Sequence, residues 1–324
     1  LCSEITLPTG VDKNGKDRTA VCCLSSINLE TYDEWKDDKN FVEDVMRFLD
    51  NILSEFIEKA PDSFKDAKYS AYRERSVGLG VMGFHSFLQK NLIPFESVMA
   101  KVWNTKIFKY IDQEVNKASK KLAEERGPCP DAKDYGIMER FSNKTAIAPT
   151  ASISIICGGS SPGIEPIAGN SYTHKTLSGS FNVRNKFLEE VLNKYGKNNN
   201  ETWSSITTNQ GSVQHLDFLT QEEKDVFKTA FELDQRWLID LSADRTPYIS
   251  QAQSLNIFLP ADVHKKDLHQ IHFQSWKKGL KSLYYCRSKS IQRAEVVSKS
   301  FVASTTEKNQ NEESKNYEEC LSCQ

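Results

Sequence analysis

Apolar runs of strand length alternate along this 324-residue chain with stretches whose apolar residues recur every three or four positions. The short runs predict buried strands at 18–29, 145–156, 254–259 and 280–286. The recurring stretches predict helices with one apolar face at 42–56, 103–122 and 226–241. Thr220 and Glu223 have capping-box spacing and predict where the third helix begins. Since strands that alternate with helices pair in parallel, we predict an α/β fold.

Composition separates a folded body from a tail. Hydrophobic residues make up 38% of the chain, which is enough for a buried core. From about residue 302 onward the sequence has almost no apolar content. Such a segment cannot offset the entropy of ordering, so we predict a disordered tail over 301–324.

Charge and hydropathy limit the partners. The net charge is −2 with both signs interspersed, so we expect no nucleic-acid partner. No apolar run reaches the roughly 20 residues that span a bilayer, so we expect no membrane partner. We find no signal peptide before Cys2, which predicts a reducing, cytoplasmic setting in which the eight cysteines are mostly thiols.

Two patterns suggest ligands but are better explained without them. Gly78 to Gly83 match the dinucleotide fingerprint, yet the preceding 65–76 stretch is polar and helix-like, so we attribute the glycines to close helix packing. His264, His269 and His272 are interpreted as a polar or partly buried helix face. The single Cys-x-x-Cys lacks a second pair at zinc-finger spacing, and we predict no metal site.

Four separated motifs carry chemical groups. They are Cys2-Ser3-Glu4, the 148–154 loop, Tyr284-Tyr285-Cys286, and Cys320-Leu321-Ser322-Cys323. The first three have ordinary explanations when taken alone, whereas the Cys-x-x-Cys on a charged tail is a stronger signal because nothing nearby could bury it. Most Cys-x-Glu triplets are structural, most tyrosine pairs in apolar strands pack in a core, and composition alone favours an ordinary strand and turn at 148–154.

In this order the four motifs resemble the large subunit of ribonucleotide reductase, the enzyme that reduces ribonucleoside diphosphates to 2′-deoxyribonucleotides. The Gly-Ile-Glu-Pro segment at 163–166 strengthens the resemblance. The resemblance implies a ten-stranded α/β barrel built from two parallel five-stranded half-barrels. Residues 1–300 would form the second half-barrel and 301–324 a redox-shuttle tail. The family's N-terminal half, with an active-site asparagine and one cysteine, would have to come from another chain or another segment.

The resemblance also implies residue roles. Cys2 would form the thiyl radical, Glu4 would be the general base, and Cys22 would be one member of the reducing dithiol, whereas Cys23 is expected to pack. Tyr284 and Tyr285 would relay the radical from a separate small subunit whose metal cofactor generates it, so no cofactor is expected on this chain. Cys320 and Cys323 would shuttle electrons from thioredoxin or glutaredoxin. The implied substrate-binding residues are Leu1, Ser3, Pro149, Thr150, Ala151, Ser152, Ile153 and Ser154.

Two other functions remain open at this stage. One is a thiol oxidoreductase acting through Cys320 and Cys323 alone, although such motifs normally lie at a strand-to-helix turn. The other is a non-catalytic remnant of the reductase fold. Retention of all four motifs argues against decay.

Overall fold

A computed structural model of the chain describes residues 2–176 and 179–288, with the side chains of 173–182 left out. Leu1 and the 289–324 segment, which includes Cys320, Cys323 and the predicted tail, lie outside the described residues.

The described residues form twelve α-helices and eight strands, joined by three short 3₁₀ turns. The strands are β1 Gly10–Val11, β2 Asp17–Arg18, β3 Leu24–Asn28, β4 Gly78–Met82, β5 Ser171–Thr176, β6 Gly179–Arg184, β7 Ile257–Leu259 and β8 Cys286–Ser288. The helices are α1 Tyr32–Trp35, α2 Phe41–Lys59, α3 Lys65–Glu74, α4 Phe84–Lys90, α5 Val98–Arg126, α6 Pro130–Lys133, α7 Ala151–Ile156, α8 Lys186–Lys194, α9 Asn200–Thr208, α10 Gln221–Val226, α11 Gln235–Arg245 and α12 Lys265–Lys277.

Parallel backbone pairing connects five segments that are far apart in sequence. Strand β3 pairs in parallel with β4, and β7 pairs in parallel with β8. Single parallel bridges join Leu79 to Thr145 and Ile147 to Gln253, which link the two strand pairs through the 145–147 segment. The predicted mixed, parallel α/β arrangement is therefore confirmed, and within the described residues the succession does not close into a barrel.

The core lies where α2 and α5 cover this parallel arrangement. Their buried faces are the predicted apolar stripes, in which Met46, Leu49, Ile107 and Val115 are inaccessible to solvent. Ile52, predicted in the α2 stripe, is instead exposed. Helix α5 begins at an N-cap formed by Ser97, whose Oγ accepts a hydrogen bond from the Ala100 amide at 3.1 Å.

Several predicted boundaries are wrong for local reasons. The 145–156 run is extended only at its start, because Thr150 adopts a left-handed backbone conformation (φ 52°) and α7 follows. The 226–241 helix is two helices, because Asp234 caps a new start by accepting a hydrogen bond from the Arg236 amide. The predicted capping box of Thr220 and Glu223 is confirmed, but it begins the shorter α10.

The remaining predicted strands are shorter than expected. The 18–29 run yields β2 and β3 with irregular chain between them, the 254–259 run yields β7, and the 280–286 run is a strand only from Cys286. Isolated backbone hydrogen bonds continue the pairing beyond these ends, as the next subsection describes.

The glycines at 78–83 serve a strand and not a helix contact. Strand β4 is buried along its whole length, and it follows α3 as the polar 65–76 stretch predicted. A Cβ atom on Gly80 would lie 2.3 Å from the carbonyl oxygen of Ala146, which no side chain tolerates. Gly80 therefore allows β4 to approach the neighbouring 145–147 segment, and the helix-packing interpretation is wrong.

Candidate active site

The Cys2-Ser3-Glu4 segment lies along residues 251–254. The Ala252 amide donates a 2.8 Å hydrogen bond to the Glu4 carbonyl, and the Ser3 amide donates to Ser254 Oγ at 3.0 Å. These bonds fix the backbone of the thiol segment beside the middle of the parallel arrangement.

The Glu4 carboxylate is held at a defined orientation. Glu4 is only 2% exposed, and the Ser254 hydroxyl donates a short hydrogen bond to Glu4 Oε2. Ser254 Oγ thus accepts from the Ser3 amide and gives its only hydroxyl proton to the Glu4 carboxylate. The hydrogen bond to Oε2 fixes the orientation of the carboxylate and therefore the position of the second oxygen, Oε1. A general base needs an oxygen in such a fixed position.

Cys2 contacts the tyrosine pair. The Cys2 thiol donates a hydrogen bond to the Tyr284 hydroxyl oxygen with an S–O distance of 3.9 Å. The ring centroids of Tyr284 and Tyr285 are 4.1 Å apart with planes inclined by 39°. A thiol and two phenols therefore form a continuous series of contacts.

The environment of this series favours the neutral phenol. Burial, with the hydrogen bond to Tyr285, raises the pKa of Tyr284 well above its ordinary value. Tyr284 thus loses an electron only if its proton leaves as well. Tyr285 is 45% exposed, so the pair is not buried in the core as a purely packing role would require.

The backbone of the tyrosine pair is fixed by the segment that precedes β7. The Tyr284 amide donates to the Leu255 carbonyl at 2.8 Å, and the Tyr285 carbonyl accepts from the Ile257 amide at 2.9 Å. Between these bonds the Tyr285 amide donates to the Asn256 side-chain oxygen at 3.1 Å.

Asn256 is held in turn by Glu165. The Asn256 amide and Nδ2 each donate to a different Glu165 carboxylate oxygen at 3.0 Å. Glu165 is 4% exposed, and burial raises its pKa to about 7. The roles of Ser254 and Asn256 were not predicted; each is a polar side chain inside the apolar 254–259 run, which was the available signal.

The 149–154 loop is constrained by its own hydroxyls. Thr150 is buried, and its Oγ1 accepts a 2.6 Å hydrogen bond from the Gly163 amide. The buried Ser154 hydroxyl donates to the Ala151 carbonyl. Among the hydroxyls of Thr150, Ser152 and Ser154, only that of Ser152 belongs to an exposed residue. The part of this segment that offers a hydroxyl to solvent is therefore the first turn of α7.

The two adjacent cysteines differ sharply. Cys22 is exposed just before β3, a position open to thiol exchange. Cys23 is buried, where its thiol donates to the Leu49 carbonyl and burial raises its pKa to about 11. The expectation that Cys23 packs is confirmed.

The histidines of α12 have local roles. His264 Nδ1 accepts from the Lys266 amide as the N-cap, and the His269 ring stacks on Phe273. Within residues 2–176 and 179–288, no group of three or more His, Cys, Asp or Glu side chains is arranged to hold a metal ion. No helix in the described part of the chain has both the length and the apolar character to cross a membrane.

Burial of Glu165 predicts a pH-dependent stability. Its folded-state pKa of about 7 lies above the ordinary value of 4.5. The folded chain therefore holds the proton more tightly, and this contribution is fully present below pH 4.5 and is lost as pH rises through 7. We expect the free energy of unfolding to fall by about 3 kcal/mol over this window relative to a Glu165→Gln chain.

Denaturant unfolding of both chains at a series of pH values measures this difference. Glu74, whose pKa burial also raises to about 7, contributes to both chains equally and cancels in the comparison. Parallel pH profiles for the two chains would show that Glu165 is ionised without cost in the folded state.

Comparisons with known proteins agree on one family. A sequence profile described as "Ribonucleotide reductase, barrel domain" matches residues 1–135 and 131–286. The "Ribonucleoside-diphosphate reductase large subunit" of Invertebrate iridescent virus 6 is 50% identical over 301 residues, which are 92% of this chain and 31% of the relative. The protein of the same name from Invertebrate iridescent virus 3 is 45% identical over 90% of this chain and 46% of the relative.

A solved structure shows the same relationship. The chain is similar to the "Actinobacillus ureae class Id ribonucleotide reductase alpha subunit", with a TM-score of 0.82 and 42% sequence identity over 90% of this chain and 53% of that one. The chain thus spans between about a third and a half of the length of the relatives that it matches.

Proposed function

The chain belongs to the ribonucleotide reductase barrel-domain family, and we propose that it is the C-terminal part of the catalytic large subunit of a ribonucleoside-diphosphate reductase. The contact between the Cys2 thiol and the Tyr284–Tyr285 pair, beside a buried and oriented Glu4, carries this proposal. A remnant without chemistry has no need of a thiol and two phenols in series.

The five parallel segments supply one half-barrel of a ten-stranded barrel in this proposal. They run from β3 through β4, the 145–147 segment and β7 to β8, in that order. An N-terminal half supplies the other five strands, the active-site asparagine and the second reducing cysteine. The 301–324 segment carries the proposed shuttle cysteines.

Radical transfer follows the direction of the observed hydrogen bond. A separate small subunit supplies the oxidising equivalent to Tyr285, which passes it to Tyr284. Because the Cys2 thiol donates to the Tyr284 oxygen, the hydrogen atom lies on the path from sulfur to phenoxyl. Its transfer restores the Tyr284 hydroxyl and leaves a thiyl radical on Cys2.

The substrate reaction uses Glu4 and Cys22. The thiyl takes the 3′ hydrogen of the ribose, while the Glu4 carboxylate accepts the 3′-hydroxyl proton. The dithiol formed by Cys22 and its partner cysteine supplies two protons and two electrons and becomes a disulfide, so that the 2′-hydroxyl leaves as water and the 2′ carbon gains a hydrogen. Cys2 then returns the hydrogen atom to the 3′ carbon, which restores the thiyl radical. Cys320 and Cys323 reduce this disulfide by exchange and are reduced by thioredoxin or glutaredoxin in the cytoplasm.

The diphosphate binds at the first turn of α7. Backbone N–H groups at a helix start attract anions, and the bond from the Gly163 amide to Thr150 Oγ1 fixes where this turn begins. Ser152 lies exposed at the same turn. Ser3 completes the site beside the ribose, and Leu1, which lies outside the described residues, stays a predicted substrate-binding residue.

Reconstitution tests the proposed function. We expect the chain alone to reduce no ribonucleotide, because the ribose must meet thiyl, base, asparagine and both reducing thiols at one centre. Adding the N-terminal half of the iridescent virus relative and a small subunit restores deoxyribonucleotide formation. A matched Cys2→Ser complex measures the background; turnover by the chain alone, or by this variant, would refute the assignment.

A further inference from the structure

Glu165 and Asn256 form a buried pair that the proposed chemistry does not use. One carboxylate accepts two hydrogen bonds from a single residue, through the Asn256 backbone amide and its side-chain Nδ2. Both residues are nearly inaccessible to solvent, at 4% and 3%. The two donors and two acceptors match each other.

A carboxyl in this setting is costly to keep. No lysine or arginine of the described residues forms an ion pair with Glu165, so its burial is offset mainly by the two hydrogen bonds from Asn256, with a smaller contribution from the charge of Arg287. Simple packing would be served better by an apolar side chain of similar volume. The pair therefore has a role in orientation, because directional hydrogen bonds fix a backbone position that an apolar contact would not.

What it fixes is the position of Tyr285. The remaining Asn256 side-chain atom, Oδ1, accepts from the Tyr285 amide, and the Asn256 amide is held by Glu165. On the other side, Glu165 lies two residues after Gly163, whose amide donates to Thr150 Oγ1. The 163–165 segment is thus held to the 149–154 loop by the Thr150 bond and to the tyrosine pair by the bonds of Glu165 and Asn256.

We propose that Glu165 is a positioning residue for radical transfer, which holds Tyr285 through Asn256 and so sets the 4.1 Å separation between the two phenol rings. This inference rests on the proposed function, since it concerns the relay that the function requires. Reacting groups must be held within about 0.5 Å of their productive geometry, so a small backbone shift at Tyr285 has a large effect on rate.

An exchange of the two side-chain functions tests the pair. In Glu165→Gln an NH₂ group faces the Asn256 donors, and in Asn256→Asp two carboxyls face each other. In the double variant Glu165→Gln/Asn256→Asp, the Gln side chain donates where Asn256 did, and the Asp side chain accepts from it and from the Tyr285 amide. The bond between the two side chains is then present again with donor and acceptor reversed, while the backbone amides of residue 256 and Tyr285 still donate to oxygens of the introduced Gln and Asp.

Steady-state kinetics of the reconstituted enzyme provide the first readout. We expect each single variant to lower kcat at least about tenfold while KM for the ribonucleoside diphosphate changes less than about twofold. The double variant should recover most of the lost kcat. If the two residues acted independently, the losses in kcat of the single variants would add in the double variant. Recovery of kcat therefore shows that the two side chains act as a pair.

Amide hydrogen exchange at Tyr285 in the isolated chain provides a second readout that needs no catalysis. Exchange should accelerate in both single variants and return towards the original rate in the double variant. Ser282→Ala is the matched control, because it removes a hydrogen bond to the Gln253 carbonyl between the same two segments without touching the pair. It should alter neither kcat nor exchange at Tyr285.

The outcomes separate this inference from the proposed function. If the original reconstituted enzyme makes no product, the proposed function is refuted. Amide exchange at Tyr285 in the isolated chain then still tests whether Glu165 and Asn256 hold the Tyr285 backbone. If the original enzyme turns over and either single variant keeps its kcat, or the double variant recovers nothing, Glu165 does not position the relay.

Discussion

A Tyr284→Phe enzyme, reconstituted with its partners, should make no measurable deoxyribonucleotide. Phenylalanine retains the ring and its contact with Tyr285 but has no hydroxyl to accept the Cys2 hydrogen atom. We expect turnover to fall at least about a thousandfold, or about 4 kcal/mol in transition-state free energy. Stability should change by only about 1 kcal/mol, since the hydrogen bonds of the hydroxyl with Cys2 and Tyr285 are partly exposed.

The measurement is product formed per active site, together with substrate binding and denaturant unfolding of the same preparation. Tyr110→Phe is the matched control, because the Tyr110 hydroxyl also makes one hydrogen bond, to the Lys36 carbonyl, away from the site. Near-normal turnover by a well-folded Tyr284→Phe enzyme would favour a packing role for the pair.

The second large effect concerns Cys320 and Cys323. With both changed to Ser, we expect one product per active site and then no further turnover with thioredoxin. The reducing dithiol that includes Cys22 can act once, but no carrier restores it. Dithiothreitol should partly rescue this variant, because a small thiol diffuses to the exposed Cys22 without help.

Product per active site with each reductant distinguishes the steps. Cys22→Ser should lose productive reduction with both reductants, since the electrons for the substrate originate there. Cys157→Ser changes another exposed thiol and should retain full activity. Equal thioredoxin-driven turnover with and without Cys320 and Cys323 would remove their proposed role.

The local patterns of this sequence predicted local structure well. Helices α2 and α5 follow from apolar spacing because each buries one long face, and the capping box at Thr220 and Glu223 needs only four residues to form. Burial of Cys23 follows from its place in an apolar run. Motif order predicted that Cys2, Tyr284 and Tyr285 belong together, and the structure brings them into contact.

What the sequence did not reveal depends on distant partners. The Ile-rich 151–156 stretch reads as a strand by propensity, but the left-handed Thr150, fixed by the Gly163 amide, begins a helix there. Gly80 is explained only by the Ala146 carbonyl that approaches it. The partnership of Glu165 with Asn256 links residues 91 positions apart, and no local pattern encodes it.

The hydrogen bonds that join Ser3 and Glu4 to Ser254 have a consequence for the order of folding. They connect residues about 250 positions apart, and closing a loop of that length costs about 5 kcal/mol of chain entropy if nothing between is ordered. Contacts of such long range form late, after the intervening helices and strands have shortened the loop. Cys2 and Glu4 are thus the last groups to reach their places and among the first to leave them, so the core can be fully folded while the proposed active site is still incomplete.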